Sequence, residues 1–436
     1  MHTRRLPSPY DPARLPSAAQ PASVCIIGAG AAGLHAAWLL RSKGLDVSIL
    51  EASGRIGGRI WTDHAFADFP VEGGAEEIHG TRSVWHAWAR RSGARLVPDT
   101  LEDWYELDGR LLTARQAGRH PAVRAARAFV REAVRELRPE QPVEAFAAAA
   151  GLPPAAYPLA NAWLGNEYGT DNARLSLRGI AEQEQLWRCG DESVMLADKG
   201  FLDLLLERLP VQELVQLHQP VCEIGLEPDA VWIRTESGQL HRASRAVCTV
   251  PLGVLRAGLI RFAPDLPPDK QAAIRQIGFG PGIKLMLRFR ERFWPEPMAS
   301  LLASGLVPEY WAASAGRGQT PVLTAFAMGA AAERISAAGA GIVLEDLDRI
   351  FGAGTASSRL EAAWLQDWGA MPYIRGAYSY PAAGGGLAAR EALARPMAGR
   401  LFFAGEATSP GHQATVHGAL ESGYRAAEEV LRSLGA

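Results

Sequence analysis

VCIIGAGAAGLHAAWLLRSKGLDVSILE (residues 24–51) decides how the rest of the chain is read. Val24 to Ile27 is short and wholly apolar, the composition of a strand buried on both faces in a parallel sheet. Gly28, Gly30 and Gly33 follow as G-x-G-x-x-G, with Ala32 inside the turn. In such a turn the first glycine permits the tight bend. The second admits a pyrophosphate to the backbone, and the third lets helix and strand pack closely. Leu34, Ala37 and Leu40 then keep helical spacing, and Gly44 stands where a helix needs a left-handed C-terminal residue. Asp46 to Leu50 reads as the second strand, with Glu51 at its end. A glycine triplet alone is a weak signal. Strand, glycines, helix, strand and terminal acid in this order within about thirty residues are the context that gives it meaning. Glu51 suits ribose hydroxyls and disfavours a 2′-phosphate, which argues against NADP as the tightly held nucleotide.

Further along, ASGRIGGRIWT (52–62) brackets the pair Gly57–Gly58 between Arg55 and Arg59. Arg59 is suited to a forked contact with a pyrophosphate. VEGGAEEIHG (71–80) brings a second glycine pair, including Gly74, again fit for close backbone approach. At the other end of the chain, LFFAGEATSPGHQATVHGALESGYRAAEEV (401–430) reads as a buried strand over Leu401 to Ala404 and a loop at Gly405–Glu406. A helix begins near Thr415. Ala419, Gly423, Ala426, Ala427 and Val430 keep its spacing. Gly418, Ala419, Ser422 and Gly423 are small enough to let it lie against a cofactor or another element, and its N-terminus offers free N–H groups and a positive dipole end. In FGPGIKLMLRF (279–289), Ile283, Leu285, Leu287 and Phe289 share one face of a strand, with Lys284, Met286 and Arg288 on the other. Taken alone, that pattern makes Lys284 the wet side of a half-buried strand.

The bulk numbers set bounds. A chain of 436 residues has room for two domains. With 48% hydrophobic and 21% charged residues it has the profile of a soluble protein with a large core. A net charge of −2 gives no electrostatic case for nucleic acid. No apolar run reaches the roughly 18–20 residues of a membrane span, and Arg4–Arg5 is followed by no apolar stretch that would make it an export signal. The expected location is the cytoplasm. Cys25, Cys189, Cys222 and Cys248 form no C-x-x-C pair and show no zinc spacing, so no metal site is expected. Residues 1–22, rich in Pro and Ser, read as a flexible arm.

As a set, these blocks resemble the flavin-dependent amine oxidase family of monoamine oxidases, polyamine oxidases and lysine-specific histone demethylases. AVCTVPLGVL (246–255), KLMLRF (284–289), FWP (293–295) and WGAMPYIRGAYSY (368–380) fall in the family's order between the two ends. The resemblance spans nearly the whole chain after residue 22, and its motifs are nearest those of polyamine oxidases and histone demethylase-like oxidases. It implies an α/β fold: a discontinuous Rossmann-like FAD-binding domain and an α+β substrate-binding domain. The first is expected at 23–85, 196–265 and 385–436, the second at 86–195 and 266–384.

The resemblance also implies roles. FAD would be held by the glycine turn, Glu51, Arg55, Gly57, Gly58, Arg59, Gly74, the backbone of Val221 against adenine, Gly405, Glu406 on the ribityl chain, and Val416 at the pyrimidine end. Lys284 matches the lysine that holds a water against flavin N5. Tyr378 matches one wall of an aromatic sandwich around the amine. Thr415 stands where monoamine oxidases have the second tyrosine, so the cage is half open. Ala377 occupies the place of their flavin-linked cysteine, so FAD is expected to be non-covalent. Trp368 matches a tryptophan near the flavin, and Met371 replaces an acid usual in that motif. His79 matches a histidine that touches the substrate chain of polyamine oxidases. Glu182 and Glu184 fall where those enzymes line the substrate tunnel with acids.

The implied reaction is oxidation of a primary or secondary amine, a polyamine first, by hydride transfer to flavin N5. The imine then hydrolyses, and O2 is reduced to H2O2. The expected partners are therefore a small amine and O2, with no nucleic acid and no membrane. The alternatives are an L-amino-acid oxidase, which needs a buried arginine for the carboxylate, and a flavin-dependent desaturase or dehydrogenase.

Overall fold

The computed structural model describes residues 10–98 and 102–435. Its organising element is a five-stranded parallel sheet in the order Val215–Gln216, Asp46–Leu50, Ser23–Ile27, Arg245–Cys248, Leu401–Phe403. Ser23–Ile27 lies at its centre, where an apolar run with no polar alternation belongs. Ile27 pairs with Leu50 on one side and Cys248 on the other. The helix Ala31–Ser42 leaves the glycine turn, and the C-terminal helix Val416–Ser433 packs along it. Gly423 makes that packing possible, because a side chain there would collide with the Ala32 carbonyl. Both ends of the chain thus build one sheet and its cover, as expected of a discontinuous nucleotide domain.

A seven-stranded sheet forms the second body, in the order Leu360–Asp367, Gly282–Phe289, Val322–Met328, Glu309–Ala312, Met298–Ala303, Glu102–Leu107, Arg110–Thr113. The lysine strand Gly282–Phe289 pairs antiparallel with a neighbour on each side. Its alternation is real, but its second face is not wet. Ile283, Leu285, Leu287 and Phe289 pack into one apolar cluster, while Met286 packs into another with Phe69 and Val71. Lys284 is only 4% exposed. Helices Pro121–Arg135, Val143–Ala149 and Leu177–Leu186 form their own cluster beside this sheet.

The expected boundaries at 85/86 and 195/196 fall inside continuous elements, the helix Val84–Arg91 and the strand Ser193–Leu196. That strand joins Glu77–His79 to Leu96–Pro98 in a three-stranded sheet, so the two bodies are stitched together there. Of the expected N-terminal arm, Tyr10, Leu15, Ala18 and Ala22 pack against the core while most residues between them are exposed or half-buried, and residues 1–9 lie outside the described residues. Tyr10 meets Tyr424 edge-on at 5.5 Å, Leu15 is buried, and the Lys43 ammonium donates to the Leu15 carbonyl at 2.6 Å. Among the described residues no helix is long and apolar enough to cross a membrane.

Candidate active site

A cavity of about 1130 Å³ runs from the glycine turn to the seven-stranded sheet. It is larger than the roughly 300–1,000 Å³ of an ordinary ligand pocket, so it has room for a dinucleotide and a second molecule. At the nucleotide end, Gly28 holds φ +106° and Gly33 fits only as glycine, because a side chain there would strike the Gly28 carbonyl. Gly30 is different: a Cβ added to it would meet nothing nearer than 3.9 Å, so its open side faces the cavity. Glu51 is buried, and it accepts from the Ala29 N–H at 2.8 Å and the Ser53 N–H at 2.9 Å. These bonds fix its carboxylate on the cavity wall.

The arginines behave unlike one another. Arg55 donates to the carbonyls of Gly58 and, at 3.0 Å, Ile60, and stacks 4.1 Å over the Trp61 ring. It therefore braces the 55–60 loop, and its burial pulls its pKa down to about 10. Arg59 pairs with Glu406 at 2.8 Å. Glu406 also accepts from the Ser379 hydroxyl at 2.6 Å and the Ala414 N–H at 2.8 Å. Burial opposes its charge, but Arg59, Ser379 and Arg390 outweigh that and hold the carboxyl below its usual range.

Thr415 is the N-cap of the C-terminal helix: its hydroxyl accepts from the Gly418 N–H at 2.9 Å and donates to the His412 carbonyl at 2.7 Å. Val416, its first helical residue, lines the cavity, as do Ala32, Gly57, Gly58, Gly74 and Gly405. Val221 does not line it; that residue packs into the core beside the nucleotide sheet.

Lys284 sits where the two halves of the cavity meet. Its ammonium donates to the Glu72 carbonyl at 2.9 Å, the Gly74 carbonyl at 3.0 Å and the Glu76 carboxylate at 2.6 Å. An ammonium has three donors, and all three point at protein acceptors. Glu76 also binds Arg317, whose side chain is 1% exposed, and accepts from the Trp311 indole at 3.2 Å. Burial works against the Glu76 charge, and Lys284 and Arg317 overcome it, so its carboxyl lies below the usual range. At neighbouring Glu72 burial outweighs the pull of Arg317 and the Thr62 hydroxyl. Burial pushes it up to about 8, and it accepts from the Phe201 N–H at 2.7 Å.

The remaining expected residues divide. Tyr378 lines the cavity and donates to the Glu167 carbonyl at 2.9 Å. Trp368 lines it and donates to the Gly73 carbonyl at 3.0 Å. His79 reaches the wall with Nδ1 3.1 Å from the Ser193 hydroxyl. Glu184 is on the wall, accepting from Tyr168 at 2.7 Å, whereas Glu182 turns to Arg178 at 2.9 Å and away from the cavity. Positions two apart on a helix do not share a face.

Sequence reasoning missed Glu76, Arg317 and Trp311, and most of the acidic wall. Away from the glycine turn, the cavity is lined by Glu77, Asp103, Glu167, Glu184, Asp191 and Glu309. Among the described residues, its only basic side chains of Lys or Arg type are Lys284, Arg55 and Arg59, and the two arginines belong to the nucleotide end. The doubled acid in VEGGAEEIHG was the one available signal; the other acids carry no motif.

The glycine turn, the ribose-type acid, the open side of Gly30, the helix start at Val416 and the size of the cavity fit FAD. A family profile described as flavin containing amine oxidoreductase matches residues 31–431. The chain belongs to this family. It is an FAD-dependent amine oxidase. Polyamine oxidase 4 of Oryza sativa subsp. japonica is 27% identical over 460 residues, which cover 95% of this chain and 90% of that one. Lysine-specific histone demethylase 1 homolog 2 of the same organism is 32% identical over 468 residues, covering 98% of this amine oxidase but 58% of the demethylase. Cyclohexylamine oxidase from Brevibacterium oxydans IH-35A superposes with a TM-score of 0.80 at 22% identity, covering 96% of this chain and all (100%) of that one. Putrescine oxidase bound to putrescine superposes with a TM-score of 0.78 at 20% identity, covering 95% and 99%. The last two likenesses concern the fold.

Proposed function

We propose that this amine oxidase acts on a di- or polyamine. The acidic wall is the observation that supports it. Six acidic residues, Glu77, Asp103, Glu167, Glu184, Asp191 and Glu309, line the cavity, whose one lysine is already paired with Glu76. Such a wall raises the local concentration of cations and holds ammonium groups. A carboxylate-bearing substrate finds the opposite. The buried Arg317 is spent on Glu76 and the Pro70 carbonyl, and Arg390 on Ser379 and the Ala407 carbonyl. Neither lines the cavity, which weighs against an amino acid.

Bound FAD supplies the acceptor for the hydride leaving the carbon next to nitrogen, and O2 takes the two electrons to give H2O2. Water then adds to the imine, giving an aldehyde and an amine. The protein's part is to position the substrate. Glu184 and His79 would hold a distal ammonium, and the Tyr378 ring would present a face to the reacting nitrogen. That nitrogen must be neutral when the hydride leaves, since a protonated amine has no lone pair to push. Lys284, whose three donors are taken by Glu72, Gly74 and Glu76, would lend its charge to the wall at the reacting face rather than hold a water there. The test is anaerobic mixing with spermidine, spermine or putrescine, followed at the flavin's visible band. Bleaching by at least one of them is expected. Bleaching by amino acids alone would overturn the reading.

A further inference from the structure

Behind the cavity wall, three metal-ligand side chains meet that the oxidase reaction does not use. Cys189 lies in the loop after the helix Leu177–Leu186, His412 in the loop before the C-terminal helix, and His417 in that helix's first turn. One ligand atom from each lies within 4.8 Å of the others. Cys189 is 4% exposed and His417 1%.

Three details point to an ion. The Cys189 sulfur stands 3.5 Å from Nε2 of His412. Zinc bonds of about 2.3 Å to sulfur and 2.0–2.1 Å to nitrogen, at a tetrahedral angle, separate those atoms by about 3.5–3.6 Å. Nδ1 of His412 is 2.7 Å from the Glu421 carboxylate, which turns Nε2 toward the cysteine. This is the carboxylate–histidine arrangement that orients metal ligands. Nε2 of His417 is buried with no hydrogen-bond partner. A thiol–imidazole hydrogen bond accounts for Cys189 and His412 and leaves His417 with nothing to do.

We propose that Cys189, His412 and His417 bind one zinc ion, with Glu421 as the carboxylate behind His412 and a water as the fourth ligand. The ion would tie the 187–192 loop to the start of the C-terminal helix. Trp187, whose ring meets His412 at 5.3 Å and His417 at 5.5 Å, and Gln413 belong to the cavity wall on the other side. The site is thus a clamp on that wall. His412 and His417 keep a spacing known from zinc sites, but Cys189 is 223 residues from His412, beyond the reach of any spacing rule.

The test uses the FAD-loaded protein, stripped with a chelator and titrated with Zn2+ against a chromophoric competitor. One zinc per chain is expected, with binding lost in Cys189→Ser and weakened about 10- to 100-fold in Glu421→Gln. Co2+ in place of zinc should give tetrahedral d–d bands in the red, beyond the flavin's absorption. Because Cys189→Ser puts a hydroxyl in place of a buried thiol, the wild-type stoichiometry and the cobalt spectrum carry the test if that variant misfolds. Failure of the wild type to take up zinc, equal affinity in either variant, or an octahedral cobalt spectrum would overturn the proposal.

Discussion

Two lysines in this molecule are buried almost equally, and they are held by opposite means. Lys270, 1% exposed, donates to the carbonyls of Ala392, Leu393 and Arg395 at 3.0, 2.6 and 2.8 Å. Those carbonyls close the helix Leu387–Ala394, so the ammonium sits on the negative end of a helix dipole. The Phe403 ring lies 3.9 Å away. Lys284 has the same number of acceptors, but one is the Glu76 carboxylate, itself gripped by Arg317. Partial charges hold Lys270, and burial pulls its pKa down to about 8. Lys284 belongs to a triad of full charges. A lysine at a helix end is structural and able to shed its proton. A lysine in a charged triad on a cavity wall has been fixed in place at the cost of two further buried charges, which a structural role alone would not require.

The sharpest way to break this contrast is Glu76→Gln. It leaves two buried cations facing an amide, and a loss of about 3–5 kcal/mol in urea unfolding is expected. A loss under 1 kcal/mol would mean that the triad is not a unit. Lys284→Met should keep FAD yet slow flavin reduction or its reoxidation by O2, by up to about 100-fold, the scale of a misplaced reacting group. Stopped-flow rates unchanged in both half-reactions would reduce Lys284 to scaffolding.

Lys270→Met should do the reverse. It should leave both rates alone and cost about 1–3 kcal/mol through the carbonyls it strands. The pH dependence sharpens this further. Folded Lys270 loses its proton near pH 8, against an ordinary value of 10.5, so the unfolded chain binds more protons between those values. Wild-type stability should therefore rise relative to Lys270→Met from about pH 8 to 10.5. Glu72, beside the triad, runs the other way. Its folded value of about 8 exceeds the ordinary 4.5, so its contribution is full below 4.5 and lost as pH rises through 8. Glu72→Gln should match wild type near pH 4.5 and overtake it toward pH 8. The smallest effect expected is Thr415→Ala, about 1 kcal/mol of helix capping by thermal melting.

The two halves of the cavity also differ in how plainly the sequence carries them. The nucleotide half is written in one run, because a tight turn between strand and helix forces its glycines to be neighbours. Its strands and helix stand as read, as does the second helix beginning at Thr415. The amine half is assembled from strands and loops whose order in space is not their order in the chain. Glu76 and Arg317 are 241 residues apart, so no spacing relates them. Alternation correctly placed Lys284 opposite Ile283 and Leu285. It could not report that a second apolar layer around Phe69 and Met286 covers the other face. Glu182 and Glu184 looked equivalent until the helix turned one toward Arg178.

The five-stranded sheet carries a consequence for synthesis. Its central strand Ser23–Ile27 pairs with nearby Asp46–Leu50 on one side, but its other neighbour Arg245–Cys248, the strand Leu401–Phe403 beyond that, and the covering helix Val416–Ser433 come from far along the chain. The edge of Ser23–Ile27 that faces Arg245–Cys248 must wait unpaired while the residues between them are made. Long-range parallel pairing is slow to form and exposed to aggregation meanwhile. The cavity cannot close around the flavin until both the glycine turn and the helix starting at Val416 have been made. Complete enclosure of the cofactor is then a late event of folding.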